Sequence, residues 1–444
     1  MESLRNASPV IDYIHNLRWE DLPDDVKNQA RRCLLDTIGT AIAGRKTDLS
    51  RIIYDFAAAA YGGNEARLWL NGRSVSIPGA ALAHGMTIDA LDIHDSCRPV
   101  KGHAGVALVP AALAAAGKYG PISGKELLTT LVMAYDIAIR AGTAQHATVC
   151  DYHTSGSWSA LGCAAILARW MGLDAAKTRH ALGIAEYHGP RSQMMRCIDF
   201  PTMVKDGSGW GAMAGVSAAQ MAQLGFTGAP AIVVEEERVA PYWQNLGNDF
   251  AIMIQYFKPY AVCYWAQAPI AGALKLKNEH GLAVDDIAVV RVHTFHEATR
   301  LAMRRPQNTE EAQYSLPFPV AMALHHGQLG YAELHGEALF DEAVLALADR
   351  VEMVDDDVFN ARFPSERLAR VQIETQDGRL FDSGEMRPLW DLTAQATDDE
   401  LRQKFRWLAG AGLSDGQIGA LETAVWQCEE LDDITPIIEM LNPP

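Results

Sequence analysis

Residues 287–294 read Ile287-Ala-Val-Val-Arg-Val-His-Thr294, and here the helical pattern of the chain gives way to alternation. β-Branched residues on a period of two mark a half-buried strand. A second such run, Leu368-Ala-Arg-Val-Gln-Ile-Glu-Thr375, is followed by Gln376-Asp-Gly-Arg379 and Leu380-Phe-Asp. Asp377-Gly378 between two such runs is a hairpin signal. Helical stretches near 310–325 and 340–350 lie between the strand regions. Residues 268–395 therefore read as an α+β domain inserted into a helical chain.

On either side the pattern is helical. From Pro23, apolar residues recur at Val26, Ala30, Cys33, Leu34, Ile38, Ala41 and Ile42, after an acidic start at Asp24-Asp25 and with Gly44 as the stop. Further helices are expected around 76–90, 106–118, 124–143, 157–171, 174–187 and 208–224. Several are rich in Ala and Gly, which lets helix backbones approach closely and needs no cause beyond tight packing. The last 50 or so residues return to helix. The expected fold is mainly α, with an all-helical domain of residues 1–267 plus 396–444 and a smaller α+β domain of residues 268–395.

Composition narrows the function. The chain has 444 residues, 49% of them hydrophobic, enough to bury a large core. Its net charge of −17 repels phosphate backbones and anionic membranes, so neither nucleic acid nor a membrane surface is an expected partner. An anionic substrate would need a local cationic pocket. The seven cysteines, an odd number, include no C-x-x-C pair, which argues for a reducing, cytoplasmic setting. The amino terminus lacks a signal-peptide pattern, and the most apolar stretch, 105–117, is short and carries Pro110.

Four polar stretches could carry chemistry. The first, residues 90–105, holds Asp92, His94, Asp95, Ser96, Arg98, Lys101 and His103 between two apolar helices. That density marks either a cleft wall or an exposed, solvated loop. Metal binding by its acids and imidazoles lacks a second ligand cluster of suitable spacing. In the second, His153 precedes a hydroxyl-lined helix start, either an anion site or an N-cap cluster with a surface His. The third, residues 187–211, carries Arg191, Arg196 and Lys205, cations suited to a polycarboxylate. The fourth starts Lys258-Pro-Tyr260 and includes Cys263; its Lys is either an anion clamp or a solvated residue at a helix start. No G-x-S-x-G or H-E-x-x-H pattern occurs.

Together these stretches, with Leu34-Leu-Asp-Thr-Ile-Gly-Thr-Ala-Ile-Ala-Gly44, resemble the MmgE/PrpD family over essentially the whole chain. The family includes 2-methylcitrate dehydratase, cis-aconitate decarboxylase and iminodisuccinate epimerase. The resemblance implies a helical domain built from both chain ends, an inserted α+β domain, a cleft active site between them, a homodimer, and no metal or organic cofactor. The family's Asp-Phe-Asp-Asp-Thr appears as Asp92-Ile-His94-Asp95-Ser96, with His94 departing. His103 follows Gly102 as in the family's Gly-His-Pro segment, and His153, Lys205 and Lys258 match its later positions. The Lys258 motif then diverges, with Tyr264 where the dehydratases have Arg, Gln267 where they have His, and Phe318 where several members have Tyr. Lost charge-assisted contacts of ~1.5–3 kcal/mol each point away from 2-methylcitrate and cis-aconitate themselves. Arg98, Lys101, Arg191 and Arg196 leave the number of bound carboxylates open.

The resemblance implies chemistry at a carbon next to a carboxylate. His103 and His153 are the expected acid–base groups. Lys205 and Lys258 would hold carboxylates and neutralise an enediolate. Asp92 would orient a His or Lys. Ser96, Lys101, Arg191, Tyr260 and Cys263 complete the expected substrate contacts. A hydro-lyase on a small di- or tricarboxylate is the expected activity, with epimerase or decarboxylase as alternatives and a non-catalytic carboxylate binder as a fourth.

Overall fold

A computed structural model describes residues 7–442. The chain is mainly helical, and most helices form where the sequence places them: Asp24–Gly44, Ile77–Asp89, Gly105–Tyr119, Gly156–Trp170, Ala175–His188 and Ser208–Gln223. A helix at Asp48–Ala60 went unforeseen; its Thr47 cap accepts from the Ser50 N–H. The helix Gly124–Thr148 runs longer than its sequence pattern indicated. It is the one helix among the described residues long and apolar enough to cross a membrane, and 89% of its most apolar window is buried inside the protein.

Small residues explain how these helices pack. Ser208–Gln223 lies against both Ile77–Asp89 and Gly156–Trp170. A methyl group on Gly85 would stand only 2.6 Å from the Cα of Gly209, so nothing larger than glycine fits that crossing.

The sheet has four strands in the order Val351–Asp355, Ile287–Thr294, Ala369–Thr375, Leu380–Met386. The first pair is parallel and the others antiparallel. The Asp377-Gly378 hairpin forms, with Gly378 at φ +83° and Thr375 N–H donating to Arg379 O at 2.9 Å. The edge strand Val351–Asp355, VEMVD, was not anticipated, because two acids among five residues obscure its alternation.

Two large hydrophobic clusters form. One draws on residues 10–257 and again on 396–441. The other draws on residues 261–373, joined by Ala43, Leu91, Ile93, Met194, Cys197, Ile198 and Leu408. The helix Asp398–Ala409 returns to pack on Asp24–Gly44. The stretches that supply polar residues to the site run between these clusters.

Candidate active site

The helix Ile77–Asp89 ends just before the polar loop, and Asp92 then adopts a left-handed φ of +49°. Next, Ser96-Cys97 pairs antiparallel with Gln255-Tyr256, with Ser96 opposite Tyr256. That short ladder brings the loop beside Lys258. The loop closes through a Cys97–Gly102 bridge, with Lys101 also left-handed at φ +49°. Lys205, before the helix Ser208–Gln223, is left-handed too, at +48°. Three of the six non-glycine residues with positive φ among the described residues are thus expected site residues. Such conformations are costly for side chains with a Cβ and concentrate where function needs them.

The ammonium of Lys258, fully buried, donates to Asp92 Oδ1. His103 Nε2 stands 3.5 Å from the same oxygen. His103 Nδ1 lies 2.8 Å from the Asp95 carbonyl oxygen, which can only accept, so Nδ1 carries the proton and Nε2 of the neutral ring has a free lone pair. The His103 backbone N–H donates to Ser155 Oγ at 2.8 Å, fixing the residue from its other side. Burial lowers the His103 pKa to about 3, with His94 and Lys258 adding to the effect and Asp92 opposing it. Burial alone would raise Asp92, but Lys258, then His103 and His94, outweigh it and bring it to about 2. At neutral pH the cluster is a carboxylate held by an ammonium beside a free-base imidazole.

Asp92 and His103 line a cavity of about 240 Å³; Lys258, which holds Asp92, is not among its lining residues. Ser96, Lys101 and Cys263 line it as expected, together with Tyr152, Tyr256, Tyr264, Trp265, Tyr314, Phe363, Glu297 and Arg367. Tyr256 and Tyr264 pack ring on ring, 4.3 Å between centroids. Cys263 is pushed up to about 12 by burial, so its thiol stays protonated.

Lys205 is buried, donates to Gln313 Oε1 at 2.5 Å and sits 5.0 Å from the Tyr314 ring centroid. Its partners are neutral, so its charge stays available. It does not line the first cavity but a second one, of about 540 Å³, shared with Arg196.

Other expected residues lie elsewhere. His153 does not line the first cavity: its backbone bridges to Gln193, its N–H donates to His146 Nε2 at 3.2 Å, and it is only partly buried. Arg191 is exposed and close enough to lower the His153 pKa, behind burial as the larger cause. Tyr260 packs on the second hydrophobic cluster rather than lining the cavity. Asp95, the second acid of the motif, accepts from Tyr135 OH at 2.8 Å and lies away from the cavity lining. Gln267 spends its amide on the Tyr260 and Val262 carbonyls at 2.9 and 3.1 Å, so it braces the loop. Phe318 is fully buried outside the lining, where Tyr314 stands instead. Arg98 is spent on Asp391, 2.7 Å away.

One ligand atom each from Asp92, His94 and His103 lie within 4.8 Å of one another. Lys258 already occupies the Asp92 oxygen, and a buried ammonium there opposes a second cation, so this donor set does not fit a metal.

Fold and site define a mainly helical protein with a buried ammonium–carboxylate–imidazole cluster at the junction of two hydrophobic cores. The chain belongs to the MmgE/PrpD family: the MmgE/PrpD N-terminal domain matches residues 10–246 and the C-terminal domain residues 260–428. It is similar to a cis-aconitate decarboxylase-like protein, oryM, of Aspergillus oryzae, at 23% identity over 98% of this chain and 97% of the relative. Similarity to the cis-aconitate decarboxylase of Aspergillus terreus is 22% over 99% and 96%. For the human cis-aconitate decarboxylase it is 23% over 97% and 93%.

Proposed function

We propose that the protein is a lyase of the hydro-lyase type, acting on a small di- or tricarboxylate by moving a proton at a carbon next to a carboxylate. The observation that carries this reading is His103, its Nδ1 proton tied to Asp95 O and its Nε2 lone pair beside the Asp92–Lys258 pair. Nε2 takes the proton, or returns it in the reverse direction. Negative charge then develops on the carboxylate as an enediolate, and the buried charges of Lys258 and Lys205, both close enough to act on Asp92, stabilise it from just outside the cavity lining. Asp92 holds Lys258 in place and keeps the local charge balanced. The tyrosines, pushed up by burial, stay protonated and supply hydroxyl donors for a departing oxygen.

A two-base epimerase needs a second base on the opposite face of the carbon. His103 is the one imidazole lining the cavity among the described residues, which leaves a carboxylate, Glu297, as the candidate second base; a single imidazole beside several hydroxyl donors favours the lyase. Decarboxylation is the second reading: it shares the same carbanion, and the similar proteins above carry that activity in their names. We also read the two hydrophobic clusters as the two domains, with the cleft between them as the substrate's entry and two copies forming a homodimer in the cytoplasm.

The test is proton NMR in D₂O with a panel of hydroxy and unsaturated di- and tricarboxylates. Vinyl signals appearing or vanishing with water gained or lost support the hydro-lyase, and carbon dioxide release shifts the reading to decarboxylase. Exchange of a Cα–H without product would establish epimerisation instead, and no exchange with any acid would leave a binder. His103→Asn should lower kcat by ~10²–10⁴-fold with little change in Tm; near wild-type turnover would remove His103 from the chemistry.

A further inference from the structure

The cations facing the cavity are not the ones that the sequence pattern singles out. Arg98 is spent on Asp391, and Arg191 is exposed and off the lining. Arg367, from the segment before the strand Ala369–Thr375, does line the cavity. It is 6% exposed. Its Nη1 donates to the Pro364 carbonyl at 2.6 Å, its Nε has no acceptor, and no carboxylate stands within ion-pair distance among the described residues. Its guanidinium packs 5.7 Å from the Phe363 ring centroid.

Burying a guanidinium without a counter-charge is costly, so such groups are ordinarily paired. This one is held by a carbonyl and an aromatic ring and left without an anion. Lys101 lines the same cavity, held in a left-handed turn with its ammonium 5.0 Å from the Tyr152 ring centroid and likewise without an ion-pair partner among the described residues. The two cations are near neighbours: burial lowers the Lys101 pKa and the Arg367 charge lowers it further, against Glu297. An anion between them would relieve that repulsion.

We infer that Arg367, assisted by Lys101, is a specificity-determining clamp for a second carboxylate of the substrate, distal to the carboxylate at the carbon that His103 deprotonates. This rests on the cavity being the substrate site. It makes the preferred ligand at least a dianion and disfavours monocarboxylates of equal length. A planar guanidinium suits bidentate capture of a carboxylate, which an ammonium cannot reproduce. Because Arg367 comes from the sheet-bearing part and Lys101 from the loop at residues 90–105, a dianion would bind the two parts together.

Calorimetry and thermal shift with succinate and butyrate as probes test this apart from turnover. Wild-type protein should bind succinate ~10–100-fold more tightly than butyrate, the range of one or two charge-assisted contacts. R367Q should erase most of that preference, K101Q should reduce it, and R367K should recover only part. R367K carries the same test if R367Q does not fold. Equal binding of the two acids, or a wild-type preference in both R367Q and R367K, would overturn the clamp. His103→Asn should keep the preference while losing turnover. A preference retained in His103→Asn with turnover unimpaired would sink the proposed chemistry and leave the clamp standing.

Discussion

Two buried lysines hold two buried aspartates in this chain, and they serve different ends. Lys404 donates to Asp36 Oδ1 at 2.5 Å and to the Ile93 carbonyl at 2.7 Å, tying the returning helix Asp398–Ala409 to the early helix Asp24–Gly44. Both sit on regular helix, packed inside the protein. Lys258 and Asp92 make the same kind of pair, but Asp92 is in a left-handed conformation, the pair lies at a cavity, and a free-base imidazole stands beside it. A lysine–aspartate contact is therefore not itself the mark of a site. What distinguishes the second pair is backbone strain and an adjacent open volume.

Removing each lysine sets the pairs against each other most sharply. Lys404→Met leaves Asp36 buried and unpaired, and should cost ~3–5 kcal/mol of stability. Lys258→Met also strands a carboxylate, but one that borders a cavity large enough for water, so the loss of Tm should be smaller and the loss of turnover near complete. Urea unfolding and kcat on both variants decide the matter. If Lys258→Met destabilises as much as Lys404→Met, the two pairs are alike and the strain at Asp92 needs another explanation.

Acid titration divides the same two regions through aspartates three residues apart. Asp92, lowered to about 2, contributes stability that is present above its ordinary range and lost as pH falls from about 4 through 2. Asp95 is raised to about 6 by burial and by the Asp36 charge, placing it with the structural pair. Its contribution runs the other way: present below its ordinary range and lost as pH rises through about 6. Each is an effect of ~2–3 kcal/mol. Asp92→Asn should flatten the stability curve below pH 4, and Asp95→Asn should flatten it between pH 4 and 6. Matching curves for both variants would mean that the two aspartates share one environment.

The sequence made much of this legible. Helices rich in small apolar residues, such as Ile77–Asp89 and Ser208–Gln223, fall within a residue or two of their expected ends. So does the strand before Asp377-Gly378, while the one after it starts at Leu380 as expected but runs on to Met386. The polar loop betrayed Asp92, Ser96, Lys101 and His103 through charge density between apolar helices. Arg367 escaped because it sits among Ser365, Glu366 and Arg370, where it looks like any surface charge; only the folded chain buries it. Tyr256 and Tyr314 escaped because an aromatic near an apolar run reads as core. His153 shows a limit of the opposite kind: hydroxyls beside a helix start suggest an anion site, but they do not say which cavity the residue borders, and His153 is not among the residues lining the first.

The smallest effect tests whether the structural pair can be weakened without touching the chemistry. The helix that carries Lys404 starts at a capping box: Glu400 N–H donates to Thr397 Oγ1 at 3.2 Å, and Thr397 N–H donates to Glu400 Oε2 at 2.7 Å. Thr397 is exposed, so replacing it removes these bonds and leaves no cavity. Thr397→Ala should lower stability by ~1 kcal/mol, the usual cost of losing such a cap. Turnover and the succinate preference should not change, because the Asp398–Ala409 helix contributes no residue to the cavity lining. A drop in kcat beyond about twofold at a temperature well below Tm would show that Lys404, through its bond to the Ile93 carbonyl next to Asp92, sets the geometry of the cluster. The two pairs would then be one device joined through a single peptide link.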